Sequence, residues 1–494
     1  MKDDQAPERL APGSRRSALQ RLFALVAAPV ATLPALSACG GGGAGNDPIV
    51  ITVPPPPVPT PPPAPRSPGQ VVTRLRTALA ATAPVVDATK SVTITQGVSN
   101  SSDSSFGSNA QFFPPLPQSG LGNLATIPQA YGYRRDLWTQ LSGVIEGQQV
   151  VPVELAHNAQ TLNSSSRTGL HFIHAGAAFE VLVAGANNCV TLVVDGKYVA
   201  CAAATDPLAQ LNVSAGNTIT GVNTTLKFDF GSSATRHISL YMLASQGACS
   251  LVVAAGDTVV PWDRSAEPSF AAMTDSYGGA PTTVWGWGGL FYQAAATLNI
   301  PHLDLDAIGG TGYATNPTTA DTILAGNAFD ARLASIVAGQ PDLFVTAGSL
   351  NDNNENALPP YASAAAAKAG FAAAVSAYYT DLRARLPNAV LVALGPWQPI
   401  TVLPASAAQL DKAAVIQAAL AAAGGLWIFV DNINGGWINS SGNSVAPSLT
   451  EGPWQTVANA ATYLGDDDIH PNAAGCAYLA SRLAADLRAA ILAL

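Results

Sequence analysis

Two short segments carry residue types that together could cleave an ester. One is Thr274-Asp275-Ser276-Tyr277-Gly278; the other, near the end of the chain, is Asp467-Asp468-Ile469-His470-Pro471-Asn472. An aspartate three residues before a histidine can orient its imidazole, and an oriented imidazole can take the proton of a serine hydroxyl carried on a tight turn. Gly278 and Gly279 would permit such a turn after Ser276. In isolation an Asp-Ser pair more often satisfies nearby backbone groups. Two further segments invite a similar reading. Ile308-Gly309-Gly310-Thr311-Gly312 would leave backbone N–H groups free to face a ligand, but no lysine follows and the dinucleotide-binding spacing is absent, which argues against a phosphate cradle. Thr346-Ala347-Gly348-Ser349-Leu350-Asn351-Asp352-Asn353, taken alone, is an Asx-rich turn.

The elements around these segments give them a common place. After Pro268, strand-like runs at Ser269 to Met273, His302 to Ala307, Leu343 to Ala347, Ala389 to Leu394 and Leu426 to Val430 alternate with Ala-rich helical stretches. The helices are expected at Thr319 to Ala338, Ala362 to Leu386, Ala405 to Ala423 and Asn472 to Leu494. Such alternation predicts a three-layer α/β domain with a parallel five-stranded sheet, whose ligands bind beyond the carboxyl ends of the strands. All the segments singled out above fall at those ends or just before the last helix.

In that order, Asp-Ser after the first strand, glycine after the second, Asn-Asp after the third and Asp-x-x-His-Pro before the last helix resemble the four blocks of the SGNH (GDSL) hydrolase family. The resemblance covers residues 266–494 and implies a flavodoxin-like hydrolase domain. It implies that Ser276 is the nucleophile, Asp467 and His470 the acid and base, and the Ser276 and Gly310 backbone N–H groups with the Asn351 side-chain amide the oxyanion hole. Gly309 is a close rival to Gly310. The sequence departs from the family pattern at Thr274, where the first block opens with glycine, and at Ser349, where glycine commonly stands two before the asparagine. Both positions shape backbone rather than perform chemistry. Pro471 is expected at the first position of the last helix, fixing the turn before it, and Asp466 and Asp468 read as caps or solvated charges. No metal and no organic cofactor is required. An α/β-hydrolase reading, suggested by the likeness of Thr-Asp-Ser-Tyr-Gly to G-x-S-x-G, fails because that fold places several strands before its serine and separates its acid from its histidine. A second alternative is an inactive carbohydrate-binding surface lipoprotein, against which the intact Ser, Asn, Asp and His stand.

The N-terminal half reads differently. Arg15, Arg16 and Arg21 precede an apolar run from Leu22 to Leu36, then Leu36-Ser37-Ala38-Cys39 and four glycines. Residues 1–39 have the order of a signal peptide and resemble a bacterial lipobox, which implies lipidation of Cys39 and a membrane partner in the cell envelope, periplasmic or at the cell surface. Residues 40–70 form a Gly/Pro-rich linker, and its proline tract from Pro54 would extend roughly 45 Å as polyproline. Residues 90–262 carry short alternating runs separated by Gly, Asn and Asp turns, which predict a β-sandwich or jelly roll. Within it His171 and His174 lack further ligands at metal spacing and are expected on strand surfaces. Leu192-Val193-Val194-Asp195-Gly196 signals a hairpin; Cys189, Cys201, Cys249 and Cys476 permit three pairings.

Charged residues make up only 11% and the formal net charge is −9, a balance that repels phosphate backbones and excludes nucleic acid as a partner. For the ester substrate, Trp397, Trp437 and Trp454 lie on connections at the expected site edge, where they could stack on sugar rings or line an acyl pocket; Trp285 and Trp287 read as either wall or core. A β-sandwich ahead of the hydrolase domain resembles two-domain esterases that deacetylate polysaccharides, while a lipase-like or short-chain acyl esterase is the other reading. Oligomeric state is not legible.

Overall fold

The structure is a computed structural model. It describes residues 66–81, 92–98, 105–106, 111–113, 138–139, 151–152, 167–184, 189–199, 211–212, 224–243, 247–261, 267–278, 289–300, 303–307, 309–314, 328–337, 340–358, 360–442 and 454–494. The leader with Cys39, the proline tract up to residue 65, Cys201, Trp285 and Trp287 lie outside the described residues.

A helix, α1 (Pro68–Ala80), comes first. Among the described residues eleven strands follow: β1 (Thr93–Val98), β2 (Gln111–Phe113), β3 (Trp138–Thr139), β4 (Val151–Pro152), β5 (Arg167–Ala184), β6 (Cys189–Val194), β7 (Lys197–Tyr198), β8 (Leu211–Asn212), β9 (Thr224–Leu243), β10 (Gly247–Val253) and β11 (Thr258–Pro261). Apart from the β3–β4 pair they join one antiparallel sheet built on the long strands β5 and β9. Phe172 and Phe179 share strand β5 and would be about 23 Å apart if it ran straight, yet their rings lie 5.3 Å apart. The β5–β9 register slips between Gly176 and Ala178, and there the sheet folds back on itself. Its two halves close over one apolar core that includes Phe172, Phe179, Phe228, Ile238, Leu240 and Val253. The fold-back also turns His174 inward. Expected at the surface, it is instead buried against Phe179 and lies 3.5 Å from Asp257; burial pushes its imidazole down, against the pull of Asp257. The hairpin expected at Asp195-Gly196 is present, with both residues at positive φ.

The α/β domain continues as β12 (Phe270–Thr274), α2 (Leu290–Thr297), β13 (Leu303–Ala307), α3 (Phe329–Val337), β14 (Leu343–Ala347), α4 (Ala364–Arg385), β15 (Val390–Leu394), α5 (Ala407–Ala423), β16 (Trp427–Val430), the short α6 (Ala460–Tyr463) and α7 (Ala473–Ala493). The five strands are parallel in the order β13-β12-β14-β15-β16. Successive strand residues point to opposite faces, and both faces are apolar here. Phe270, Ala272, Val345 and Val392 enter a core shared with α1, α2 and α7; Ala271, Met273, Phe344 and Leu391 enter another shared with α3, α4 and α5. Alanine-rich segments favour helix, and three begin where a side chain takes a free backbone N–H: Ser363 from Ala366, Ser406 from Gln409 and Asn472 from Gly475. The strands lie within a residue of the sequence expectation.

Helix α1 precedes the β domain in sequence but packs in the α/β domain. It starts in a capping box, Ser67 Oγ accepting from the Gln70 N–H and Gln70 Oε1 from the Ser67 N–H, with Pro68 next to the cap. Val71, Leu75, Ala78 and Leu79 join the core beneath α2 and α7. Arg74 and Arg66 reach the buried Asp342 at 3.3 and 3.5 Å, just before β14, and Arg488 of α7 donates to the Leu79 carbonyl at 2.6 Å. A domain boundary at 266 therefore leaves out a helix that joins the α/β core, and a linker drawn to 70 runs into its first turn.

Candidate active site

The strand order changes direction between β12 and β14, and the crevice outside the carboxyl ends of such strands is where a doubly wound sheet holds ligands. The turn at Asp275–Gly278 leaves β12 at this point. Gly278 N–H donates to the Asp275 carbonyl at 3.1 Å, and a Cβ on Gly278 would lie 1.9 Å from Thr274 Cγ2, so only glycine closes the turn over that threonine. Asp275 and Tyr277 are buried while Ser276 between them is half-buried, the most accessible residue of the turn. Asp275 Oδ1 accepts from the Tyr277 N–H at 3.0 Å. Burial pushes the Asp275 carboxyl up to about 7, against that bond. Tyr277 stacks flat on Trp397, with centroids 4.8 Å apart and planes 2° apart, and its hydroxyl donates to the Ile469 carbonyl. The turn of Ser276 is thereby tied to the loop of His470, whose ring lies 5.8 Å from that of Tyr277.

The histidine loop is built around one carboxylate. Asp467 Oδ1 accepts from the N–H groups of Ile469 and His470 at 3.0 and 2.9 Å, and Oδ2 lies 2.6 Å from His470 Nδ1. Burial alone would raise the Asp467 carboxyl, but the bonds from the His470 ring and the two N–H groups outweigh it and hold the group below its usual range. An ionised carboxylate only accepts, so Nδ1 carries the proton in this contact, and in the neutral ring Nε2 keeps its lone pair. The loop closes on itself through Gly465 N–H to the His470 carbonyl at 2.8 Å, and Asp468 adopts a φ of +59°. Pro471 is not the first residue of α7. It pairs with Leu464 in an isolated bridge, and Asn472 is the cap; a proline there lacks the N–H that a cap's predecessor has no need to donate.

The second and third loops interlock. Gly309 faces Ser276, since a Cβ on it would lie 3.6 Å from Ser276 Cβ, and Gly310 has a φ of +77° and is exposed. Asn351 Nδ2 donates to the Thr311 carbonyl at 3.0 Å, a bond that orients the amide. Asp352 accepts from the N–H groups of Tyr313 and Ala314 at 3.1 and 2.8 Å. Burial pushes the Asp352 carboxyl up to about 6, against those bonds and the charge of Lys412. Below the loops Arg332 of α3 pairs with Asp306 of β13 and donates to the Thr274 carbonyl at 3.3 Å and Thr311 Oγ1 at 3.2 Å.

The structure thus brings the Ser276, Gly310 and Asn351 loops together, and Tyr277 joins the Asp467–His470 loop to them. It does not put the three tryptophans in one position. Trp437 is 1% exposed, in the core beneath Arg482, which removes it as a substrate contact. Trp397, 2% exposed, backs the site through Tyr277 instead of forming its wall. Trp454 is half-buried beside Tyr478. Cys476 is free and buried, its thiol pushed up to about 12 by burial, so a scheme pairing all four cysteines does not hold. Among the described residues no cluster of His, Cys, Asp or Glu is placed to hold a metal ion. Sequence reasoning missed Asp275, Asp306, Arg332, Asp352 and Lys412. For Asp306, Arg332 and Lys412 the signal was a charge inside an apolar strand or a helix of a chain with few charges; Asp275 and Asp352 stood in the motifs themselves but read only as turn residues.

Residues 271–478 match the model of the GDSL-like Lipase/Acylhydrolase family. No curated protein matches the chain. Among solved structures, a family two carbohydrate esterase from Cellvibrio japonicus is similar with a TM-score of 0.45 and 14% identity, over 66% of this chain and 89% of that one. A salicylyl-acyltransferase from a tetracycline biosynthetic pathway gives a TM-score of 0.45 and 14% identity, over 71% and 92%. An acetyl xylan esterase from the rumen bacterium Butyrivibrio proteoclasticus gives 0.42 and 13%, over 71% and 97%. Likenesses this remote speak to neither substrate nor mechanism.

Proposed function

We propose, on the premise that residues 271–478 form a GDSL-like lipase/acylhydrolase domain, that the chain is a serine esterase acting through Ser276, His470 and Asp467. The observation that carries this reading is the 2.6 Å contact of Asp467 Oδ2 with His470 Nδ1 in a loop bonded to the residue after Ser276. His470 Nε2 takes the Ser276 proton as Oγ attacks the ester carbonyl. The oxyanion so formed is met by the Ser276 and Gly310 backbone N–H groups and the side-chain amide of Asn351. Collapse breaks the carbon–oxygen bond of the ester, and His470 returns the proton to the departing alcohol. Water then attacks the acyl-enzyme by the same route, releasing the acid and restoring Ser276.

The substrate proposed is an O-acetylated polysaccharide, supported by the β domain that precedes the α/β domain and by the half-buried Trp454; a short-chain or lipase-like acyl ester is the competing outcome. Lipidation at Cys39 would place this chemistry on the cell envelope. Hydrolysis of p-nitrophenyl acetate through palmitate, beside acetate release from acetylated xylan, tests the reading with Ser276→Ala as control. Turnover of the acetyl substrates and its loss in the variant are expected. Equal hydrolysis by wild type and variant, or none of any ester, sinks it.

A further inference from the structure

Asn351 is delivered to the site by a turn whose backbone is disfavoured for any residue with a Cβ. Ser349 is buried at a φ of +72°, in the left-handed region that glycine occupies without cost. Something outside the turn has to hold it. The Ser349 carbonyl accepts from two directions: from the Asp352 N–H at 3.3 Å within the turn, and from Lys412 Nζ at 3.0 Å across from α5. Lys412 is 4% exposed, an unusual place for an ammonium group. Burial pulls its pKa down, while the carboxylates of Asp352 and Glu355 oppose that pull. The start of α5 is fixed to the same loop by Asn354 Nδ2, which donates to the Ala408 carbonyl at 3.1 Å.

The connections run onward from this carbonyl. Fixing it fixes the peptide between Ser349 and Leu350, and hence the approach of Asn351, whose amide is steadied on Thr311. Asp352, the next residue, holds the N–H groups of Tyr313 and Ala314, and Gly312 lies so close that a Cβ would sit 2.5 Å from Asp352 Oδ1. We propose that Lys412 is a positioning residue, whose ammonium clamps the Ser349 turn in place of the conformational freedom a glycine would supply and so sets the Asn351 amide and the Gly310 loop to receive the oxyanion. This rests on the esterase reading, in which those groups are the oxyanion donors. A charged donor suits the task because Nζ bonds the carbonyl while its charge offsets the buried Asp352 carboxylate next to it.

The test is a double-mutant cycle on the full chain with p-nitrophenyl acetate. Lys412→Met is expected to lower kcat by roughly 10- to 10²-fold with KM little changed, the signature of a contact felt mainly in the transition state. Lys412→Arg, which keeps a charged donor, should restore most of the loss. In a Ser349→Gly background the loss caused by Lys412→Met should shrink at least about fivefold, because glycine needs no clamp. The same loss in both backgrounds, or a loss confined to KM or to the folded fraction, overturns the proposal. Hydrogen exchange reads the clamp without activity: the Asp352 amide should exchange faster in Lys412→Met than in wild type, and unchanged exchange contradicts the clamp. Absence of any hydrolysis by wild type would instead refute the esterase reading, leaving the exchange result to decide on Lys412.

Discussion

The Asp467–His470 loop keeps its geometry almost wholly within itself, whereas the turn of Ser276 and the loops of Gly310 and Asn351 depend on side chains brought from α3 and α5. In the first, a single carboxylate accepts three bonds from residues within three positions of it, and Asp467 and His470 remain 46% and 25% exposed at their side chains. In the second, Arg332, Asp306, Asp352 and Lys412 are all buried and reach across the domain. In the proposed mechanism the base and its orienting acid sit where solvent screens them, while the groups proposed to meet developing charge are held by buried polar contacts, where each bond is stronger and each loss costs more.

Substitutions can break this contrast or sharpen it. The largest effect is expected on the self-contained side: Asp467→Asn removes the group that fixes the His470 tautomer and should lower kcat by roughly 10²- to 10⁴-fold while leaving the melting temperature nearly unmoved. A large fall in melting temperature would show that the loop is not self-contained. On the braced side, Asn351→Ala should cost roughly 10²- to 10³-fold in kcat; an unchanged rate removes it from the oxyanion hole. Asp275→Asn probes the same side through stability. The folded carboxyl is raised to about 7 by burial, so between its ordinary value and 7 the folded state binds more protons than the unfolded one, and stability falls as pH rises through that window. The asparagine variant should therefore lose less melting temperature between pH 5 and pH 8 than wild type, and parallel curves would contradict the assignment. Smallest in rate is Leu75→Ala in α1. It should destabilise the chain by about 2–5 kcal/mol yet leave kcat within about twofold, since α1 packs on the core and not on the site; unchanged stability would detach α1 from the hydrolase domain.

The same contrast explains what could be read from the sequence. Asp467 and His470 are three residues apart and their interaction is local, so spacing alone exposes it. The strands β12 to β16 were legible because apolar runs between Ala-rich helices have few other folds open to them. Lys412 bonding Ser349 has no local pattern, since the pair meets only once α5 packs over β15 and β16 and reaches the loop after β14. His174 misled because strand alternation does not reveal a strand that folds back. Helix α1 was hidden for another reason: its capping box, Ser67 to Gln70, sits directly against a proline tract and reads as the tail of a linker.

Labelling with a fluorophosphonate, followed by mass-spectrometric location of the adduct, tests the central claim most directly. One adduct is expected, on Ser276, forming far more slowly in His470→Ala and absent in Ser276→Ala. An adduct on another residue, or labelling indifferent to both substitutions, would contradict it.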